Sequence, residues 1–313
     1  MKQAQFEQLH RSTWQAQQEA ATKKQLPANF GQQHRQICQH LALARARYYS
    51  LALITELEQL VQQSHQRLYR QSSRWFALVR LVFIEFPRQL RSDWRYFMVS
   101  LIAFIAPGAI AWLLLDLEIV SIYQLIPAQM VSDIGAMYNP EVENIGRVRQ
   151  SDTDIYMFGF YIWNNVGIAL RSFAYGITGG VGALFIMFNN GLFIGSIFQH
   201  ITVVGYHTTF WPFVIGHGSF ELTAIVIAGA AGLRLGWALI SPGQLPRLEA
   251  LKLSAQKAMV LMYGVIFMLL VAAFIEAFWS STASLGVWPR ITVGAMLWAL
   301  VIGWLTLGGR RAN

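Results

Sequence analysis

Residues 97–115, FMVSLIAFIAPGAIAWLLL, run without a single charged side chain. The hydrocarbon core of a bilayer is about 30 Å thick, so a helix needs roughly 20 apolar residues to cross it. Inside lipid every backbone amide has to be satisfied by the helix itself, and a run of this kind therefore dictates helix and excludes an open sheet. Further stretches of the same character lie at 156–172, 176–198, 212–238, 258–279 and 290–307. Asn164, Asn165, Asn189 and Asn190 weaken the second and third. The expected fold is all-α and polytopic, with about six transmembrane helices. Composition agrees: 55% of the 313 residues are hydrophobic and 13% charged, against roughly 25% charged in an ordinary soluble domain.

Charge is unevenly placed. Residues 1–96 hold 14 of the 24 Lys and Arg and 6 of the 16 Asp and Glu. Cationic flanks are retained on the cytoplasmic side of a membrane. With six spans and the N-terminus inside, 21 of the 24 basic residues fall on inner segments, including Arg171, Arg234, Arg247, Lys252, Lys257, Arg310 and Arg311. The long segment 116–155 carries Asp116, Glu118, Asp133, Glu141, Glu143, Asp152 and Asp154 against Arg147 and Arg149, as an exported loop should. Both chain ends are thus expected in the cytosol. The first 30 residues contain no apolar core, so no cleavable signal peptide is expected. The single cysteine, Cys38, excludes an internal disulfide framework and a multi-cysteine metal site.

Three regions follow: a cytosolic helical domain at 1–73, an amphipathic interfacial elbow helix at 74–96, and a membrane domain at 97–313. In the first, Ile37, Leu41, Ala44, Tyr48, Leu51, Ile54, Leu57, Leu60 and Val61 recur with helical period, predicting one long amphipathic helix over 36–70 after a shorter one at 5–25. The basic surplus suits anionic headgroups better than nucleic acid, because no aromatic nucleic-acid signature accompanies it. In the elbow, Trp75, Phe76, Leu78, Val79, Leu81, Val82 and Phe83 face away from a set of arginines. Such a helix lies in the plane of the interface, with Arg88, Arg91, Trp94 and Arg95 as anchors to membrane lipid and Pro87 turning the chain into the first span.

Ionisable and amide side chains inside a span are costly and tend to face the bundle interior. His217 and Glu221 stand four residues apart, on one helix face. Ala224, Ala228, Gly232 and Gly236 continue as a stripe of small residues, a contact face for another span or another subunit. Trp163, Asn164, Asn165 and then Phe188, Asn189, Asn190, Gly191 repeat an aromatic followed by an asparagine pair. The amides act either as interhelical glue or, with Asn164, Asn165, Asn189, Asn190, His217 and Glu221 together, as an intramembrane polar site in which the glycines nearby would permit a broken helix. Metal chemistry has little support: HExxH is absent, and the histidines nearest the pair are His200 and His207 on the outer side. No nucleophile elbow, Walker loop or Rossmann loop occurs, Ser219 points off the His217 face, and Glu276 is as readily interfacial as functional. No catalytic residue, metal or cofactor is therefore assigned.

The run Gly216, His217, Gly218, Ser219, Phe220, Glu221, Leu222, followed by IAGAAGLRLG at 227–236 and by Pro242 and Gly243, resembles the signature of the stage II sporulation protein M family of bacterial integral membrane proteins. The two asparagine elements, YRQ at Tyr69 to Gln71 and FPR at Phe86 to Arg88 fit its longer proteobacterial-type members. The resemblance implies a multi-pass inner-membrane protein without established enzymatic activity, here with an added N-terminal domain. The function expected is a non-enzymatic scaffold with membrane or envelope proteins as partners, a homo-oligomer, dimer favoured, joined through the small-residue face. The alternative is a transporter or channel whose path is lined by the six polar residues.

Overall fold

The computed structural model describes residues 1–23, 26–68, 74–141, 153–280 and 286–310. Tyr69 to Gln71 and the charges Glu143, Arg147, Arg149 and Asp152 of the expected outer loop lie outside the described residues. Helix is the only regular structure among them, and the chain divides into a unit at Met1–Ala77 and a unit at Leu78–Asn313.

The first unit is a three-helix bundle: α1 (Gln3–Thr22), α2 (Phe30–Ala46) and α3 (Leu51–Leu68). The single long helix expected over 36–70 is instead two. Tyr48 takes a left-handed φ of 53° and Ser50 opens α3, its Oγ accepting the Leu53 N–H at 3.4 Å. One apolar period served both halves because each turns its stripe to the same core, where Ile37 and Ala44 meet Leu53, Leu57 and Leu60 under Phe6 and Trp14. No Gly or Pro marks the turn in the sequence.

The second unit begins within the elbow. Arg74–Arg80 (α4) runs through a π-helical turn at Leu81–Glu85 into Phe86–Ser92 (α5), with Pro87 in the first turn of α5. Trp75, Phe76, Leu78 and Phe83 are exposed. Phe86 is fully buried against Gly264 and the Trp304 ring, so this part of the elbow belongs to the membrane core. Arg88 donates to the Gly309 carbonyl at 2.8 Å, and Arg91 to those of Leu305 and Gly308 at 2.9 and 2.6 Å. These guanidinium groups satisfy the open carbonyls at the C-terminus of the last helix, where positive charge is favoured. Burial and the neighbouring cations Arg310 and Arg88 push the Arg91 guanidinium below its usual range. Trp94 is exposed, with the Arg95 guanidinium 5.7 Å from its ring centroid.

Among the described residues five helices are long and apolar enough to cross a membrane: α6 (Trp94–Asp116), then, numbered past two short helices and one less apolar helix, α10 (Val181–Val204), α11 (His207–Ile240), α12 (Arg247–Phe274, continued by a π turn to Ser280) and α13 (Val287–Leu307). The sixth expected span is helical over Thr153–Ala174 (α9) but falls outside this set, because two asparagines and Arg171 dilute its apolar residues. It packs nonetheless against α10, α11 and α12. The expected acidic loop after α6 forms short helices at Ile122–Leu125 (α7) and Ala128–Tyr138 (α8). Ile122, Ile126 and Val131 turn inward onto Leu115, Ile197, Ile201 and Phe210.

Helix α11 is the axis of the unit, 67% buried over its apolar window against 22–50% for the other four, and it packs on α6, α9, α10, α12 and α13. Small residues allow this. A Cβ on Gly236 would overlap the Gly180 nitrogen and the Gly176 carbonyl; one on Gly232 would overlap the Ser172 carbonyl. The face Ala224, Ala228, Gly232, Gly236 is thus filled from within the chain, by α9 and the turn that follows it, and is not open to a second subunit. Gly180, at φ +86°, begins α10, which continues unbroken through Asn189 and Asn190; the broken helix considered from the sequence does not form there.

Candidate intramembrane site

At the end of the bundle that carries Arg88 and Arg91, charge is neutralised pairwise. The Arg234 guanidinium bonds the buried Asp93 carboxylate, Gln89 Nε2 donates to the same carboxylate at 2.7 Å, and Ser254 Oγ donates to the Arg234 carbonyl at 3.0 Å. Burial still leaves the Asp93 carboxyl above its ordinary range, although Gln89, Arg234 and Lys257 pull it down.

The opposite end is different. A cavity of about 590 Å³ opens among α8, α9, α10 and α11, with Gln129 and Asp133 of α8 at its rim and Phe160, Tyr161, Phe193 and Phe213 among its walls. Asn164, Asn165, His217, Glu221 and Glu276 face it. Two antiparallel helices supply the acidic and imidazole groups in matched registers. His217 and Glu221 lie one turn apart on α11, and Ser280 and Glu276 one turn apart on the π-helical end of α12. His217 Nδ1 is 3.2 Å from Ser280 Oγ. Donor atoms of His217, Glu221 and Glu276 lie within 4.8 Å of one another, a set that could hold a metal ion. Asn165 hydrogen-bonds the Glu221 carboxylate and itself accepts from Asn164 Nδ2 at 2.8 Å. The second carboxylate oxygen of Glu221 is buried and has no hydrogen-bond partner among the described residues.

Of the six polar residues singled out from the sequence, four converge here. Asn189 and Asn190 do not: their amides donate back to the Phe185 and Ile186 carbonyls at 2.7 and 2.8 Å, and they line a separate hollow of about 430 Å³ beside Arg171. A continuous path through all six is therefore not formed. The third member of the set is Glu276, 9% exposed, and neither His200 nor His207 belongs to it. Ser219 Oγ is bound to the Gly216 carbonyl at 2.7 Å, away from the site. In the sequence Glu276 reads as readily interfacial as functional, because it sits three residues from Trp279, an interfacial residue type. The one signal available was its four-residue spacing to Ser280, the mirror image of His217 and Glu221. The π turn that completes the pairing is a feature often found where a helix serves a site, and the sequence does not announce it.

Residues 97–281 match the family model described as stage II sporulation protein M, and residues 4–70 match a domain of unknown function (DUF8413). No curated protein and no solved structure matches the chain.

Proposed function

The chain belongs to the stage II sporulation protein M family, whose model covers more than half of it, and we propose that it works as a carrier that binds a small polar or cationic solute in the cavity beside His217, Glu221 and Glu276. We place it in the bacterial inner membrane with six passes and both ends in the cytosol, so that the cavity faces outward. The observation that carries the reading is the cavity itself. Its volume of about 590 Å³ falls in the usual range for small-ligand sites, and so does its make-up, aromatic walls with a few convergent polar groups. A buried carboxylate held in lipid without a cation is costly, and proteins keep such groups where they bind or relay charge.

No catalysis is assigned to the site. Purified chain in sealed proteoliposomes should pass cations or protons under an imposed gradient, and Glu221→Gln should abolish the flux. Vesicles that stay tight under several ion gradients would overturn the proposal.

A second reading, a scaffold that gathers membrane or envelope proteins, is supported by the self-contained three-helix unit at Met1–Ala77, which solute binding does not need. Crosslinking from that unit in intact cells tests it. A dimer, if one forms, uses a surface other than the small-residue face of α11, and native mass in lipid nanodiscs measures whether it does.

A further inference from the structure

We propose that His217, Glu221 and Glu276 together bind one divalent transition-metal ion, of zinc size and preference, at the floor of the cavity. The inference deepens the reading of this cavity as a ligand site and adds what the ligand set selects. One imidazole and two carboxylates are donors suited to zinc, manganese or ferrous iron, and three protein ligands leave a position open to water or solute. The separations agree. Donors about 2.1 Å from a common ion stand about 3.4 Å apart in a tetrahedral site, and here all three lie within 4.8 Å of one another. Small rotations of two glutamate side chains close the difference.

Charge makes the same demand. Buried charges in proteins are paired or coordinate metals, and the Glu221 carboxylate has, among the described residues, only the Asn165 amide on one of its oxygens. The free, buried oxygen of Glu221 is where a ligand atom is missing. Outer contacts are those that metal sites use to orient ligands. Asn165 holds Glu221 and is itself held by Asn164. With His217 Nδ1–H donated to Ser280 Oγ, 3.2 Å away, the lone pair of Nε2 is the one offered to the ion.

The test uses the full-length chain in detergent, stripped with chelator, incubated with zinc or cobalt chloride, desalted and analysed for metal. The expected result is one ion per chain, with a cobalt absorption spectrum of low-coordinate character. Glu276→Gln, Glu221→Gln and His217→Gln should each lose the ion, and Asn165→Ala should weaken it by about 10- to 100-fold. His10→Gln and His40→Gln, in the cytosolic bundle, should retain it. Because His217 is buried and its variant can fail to fold, the two glutamine isosteres decide the outcome. Wild-type chain that keeps no ion, or glutamine variants that keep as much as wild type, would overturn the proposal. Ion retention with tight vesicles removes the carrier reading and leaves the metal site; flux without retained metal does the reverse.

Discussion

The two units of this chain are stabilised in opposite ways. In the N-terminal bundle the large apolar side chains are inside: Phe6, Trp14, Ile37 and Leu57 meet in the middle, with Gln17, His34 and Ser64 the buried polar side chains among them. In the membrane unit large side chains such as Ile102, Ile110, Phe185, Met296 and Leu300 are exposed, and Ala224, Ala228, Ala231, Ala258 and Ala272 lie in the core beside Phe86, Leu261 and Met268. Water drives the first arrangement by expelling apolar surface. Lipid offers no such drive, and helices there associate through close packing and a few polar contacts. The lesson is that large apolar side chains facing outward are ordinary in the membrane unit, where small residues carry the closest helix contacts.

The largest expected effect comes from a polar contact of the membrane unit. Arg234→Ala leaves Asp93 buried without its cation, and breaking such a pair costs about 3–5 kcal/mol. Protease resistance of the detergent-solubilised chain should fall steeply, and Arg234→Ala with Asp93→Ala together should recover much of the loss. Retained stability in the single variant would show the pair to be marginal. Next comes a matched comparison of size. Leu57→Ala, at a fully buried site of the bundle, should cost about 2–5 kcal/mol by leaving a cavity. Gly236→Leu adds bulk where backbone atoms block it and should cost about 1–3 kcal/mol or more. Thermal unfolding of each unit, followed by limited proteolysis with fragment mapping, separates the two. If Gly236→Leu leaves the unfolding midpoint unchanged but alters native mass, the α11 face meets another subunit after all.

How much of this was written in the sequence follows the same division. The membrane runs are legible because lipid demands roughly 20 consecutive apolar residues, and α6, α11 and α13 lie where the runs do. The small stripe on α11 was legible as a face but not as to its partner, since four-residue spacing records what a helix presents and nothing of what it meets. His217 and Glu221 were legible because they share a face. Glu276 was not, because its place depends on the antiparallel register of α12 and on a π turn, both set by tertiary packing. Asn189 and Asn190 looked like site residues because an amide in lipid needs a partner, and the partner turned out to be their own helix. The break at Tyr48 escaped notice for the same reason as the α11 partner: one apolar period serves a straight helix or two antiparallel ones.

A smaller effect distinguishes the two ends of the membrane unit. Glu221→Gln keeps the shape of the side chain and its bond from Asn165 while removing a buried charge. Removing a charge whose second oxygen has no hydrogen-bond partner among the described residues relieves part of its desolvation cost, so unfolding should shift by less than about 1 kcal/mol. Function should be lost all the same. A large loss of stability would mean that Glu221 holds the bundle together as Asp93 does, and the contrast between a closed end and a ligand-binding end would fail.

The smallest effect returns to the N-terminal unit, where burial favours the neutral form of two histidines. Ser64 Oγ donates to the Leu60 carbonyl at 2.7 Å, so it accepts from His34 Nδ1–H at 2.8 Å, leaving His34 Nε2 beside Cys38. Trp14 Nε1 donates to His40 Nδ1 at 3.1 Å, a bond that a proton on Nδ1 would destroy. Burial lowers the pKa of both, helped by His65 and Arg35 around His34 and by His10 against His40. In the unfolded chain both titrate near the usual 6.5. Above that pH neither state binds the proton and the contribution to stability is complete. As pH falls below it the unfolded chain takes up protons first, and stability declines until the lowered folded values are reached. Melting of the α1–α3 bundle should therefore move to lower temperature between pH 7 and pH 5, and His34→Gln with His40→Gln should flatten that dependence. A melting temperature that rises on acidification would mean that these rings are charged in the folded bundle, and its core would then be less like that of an ordinary soluble domain than the contrast with the membrane unit requires.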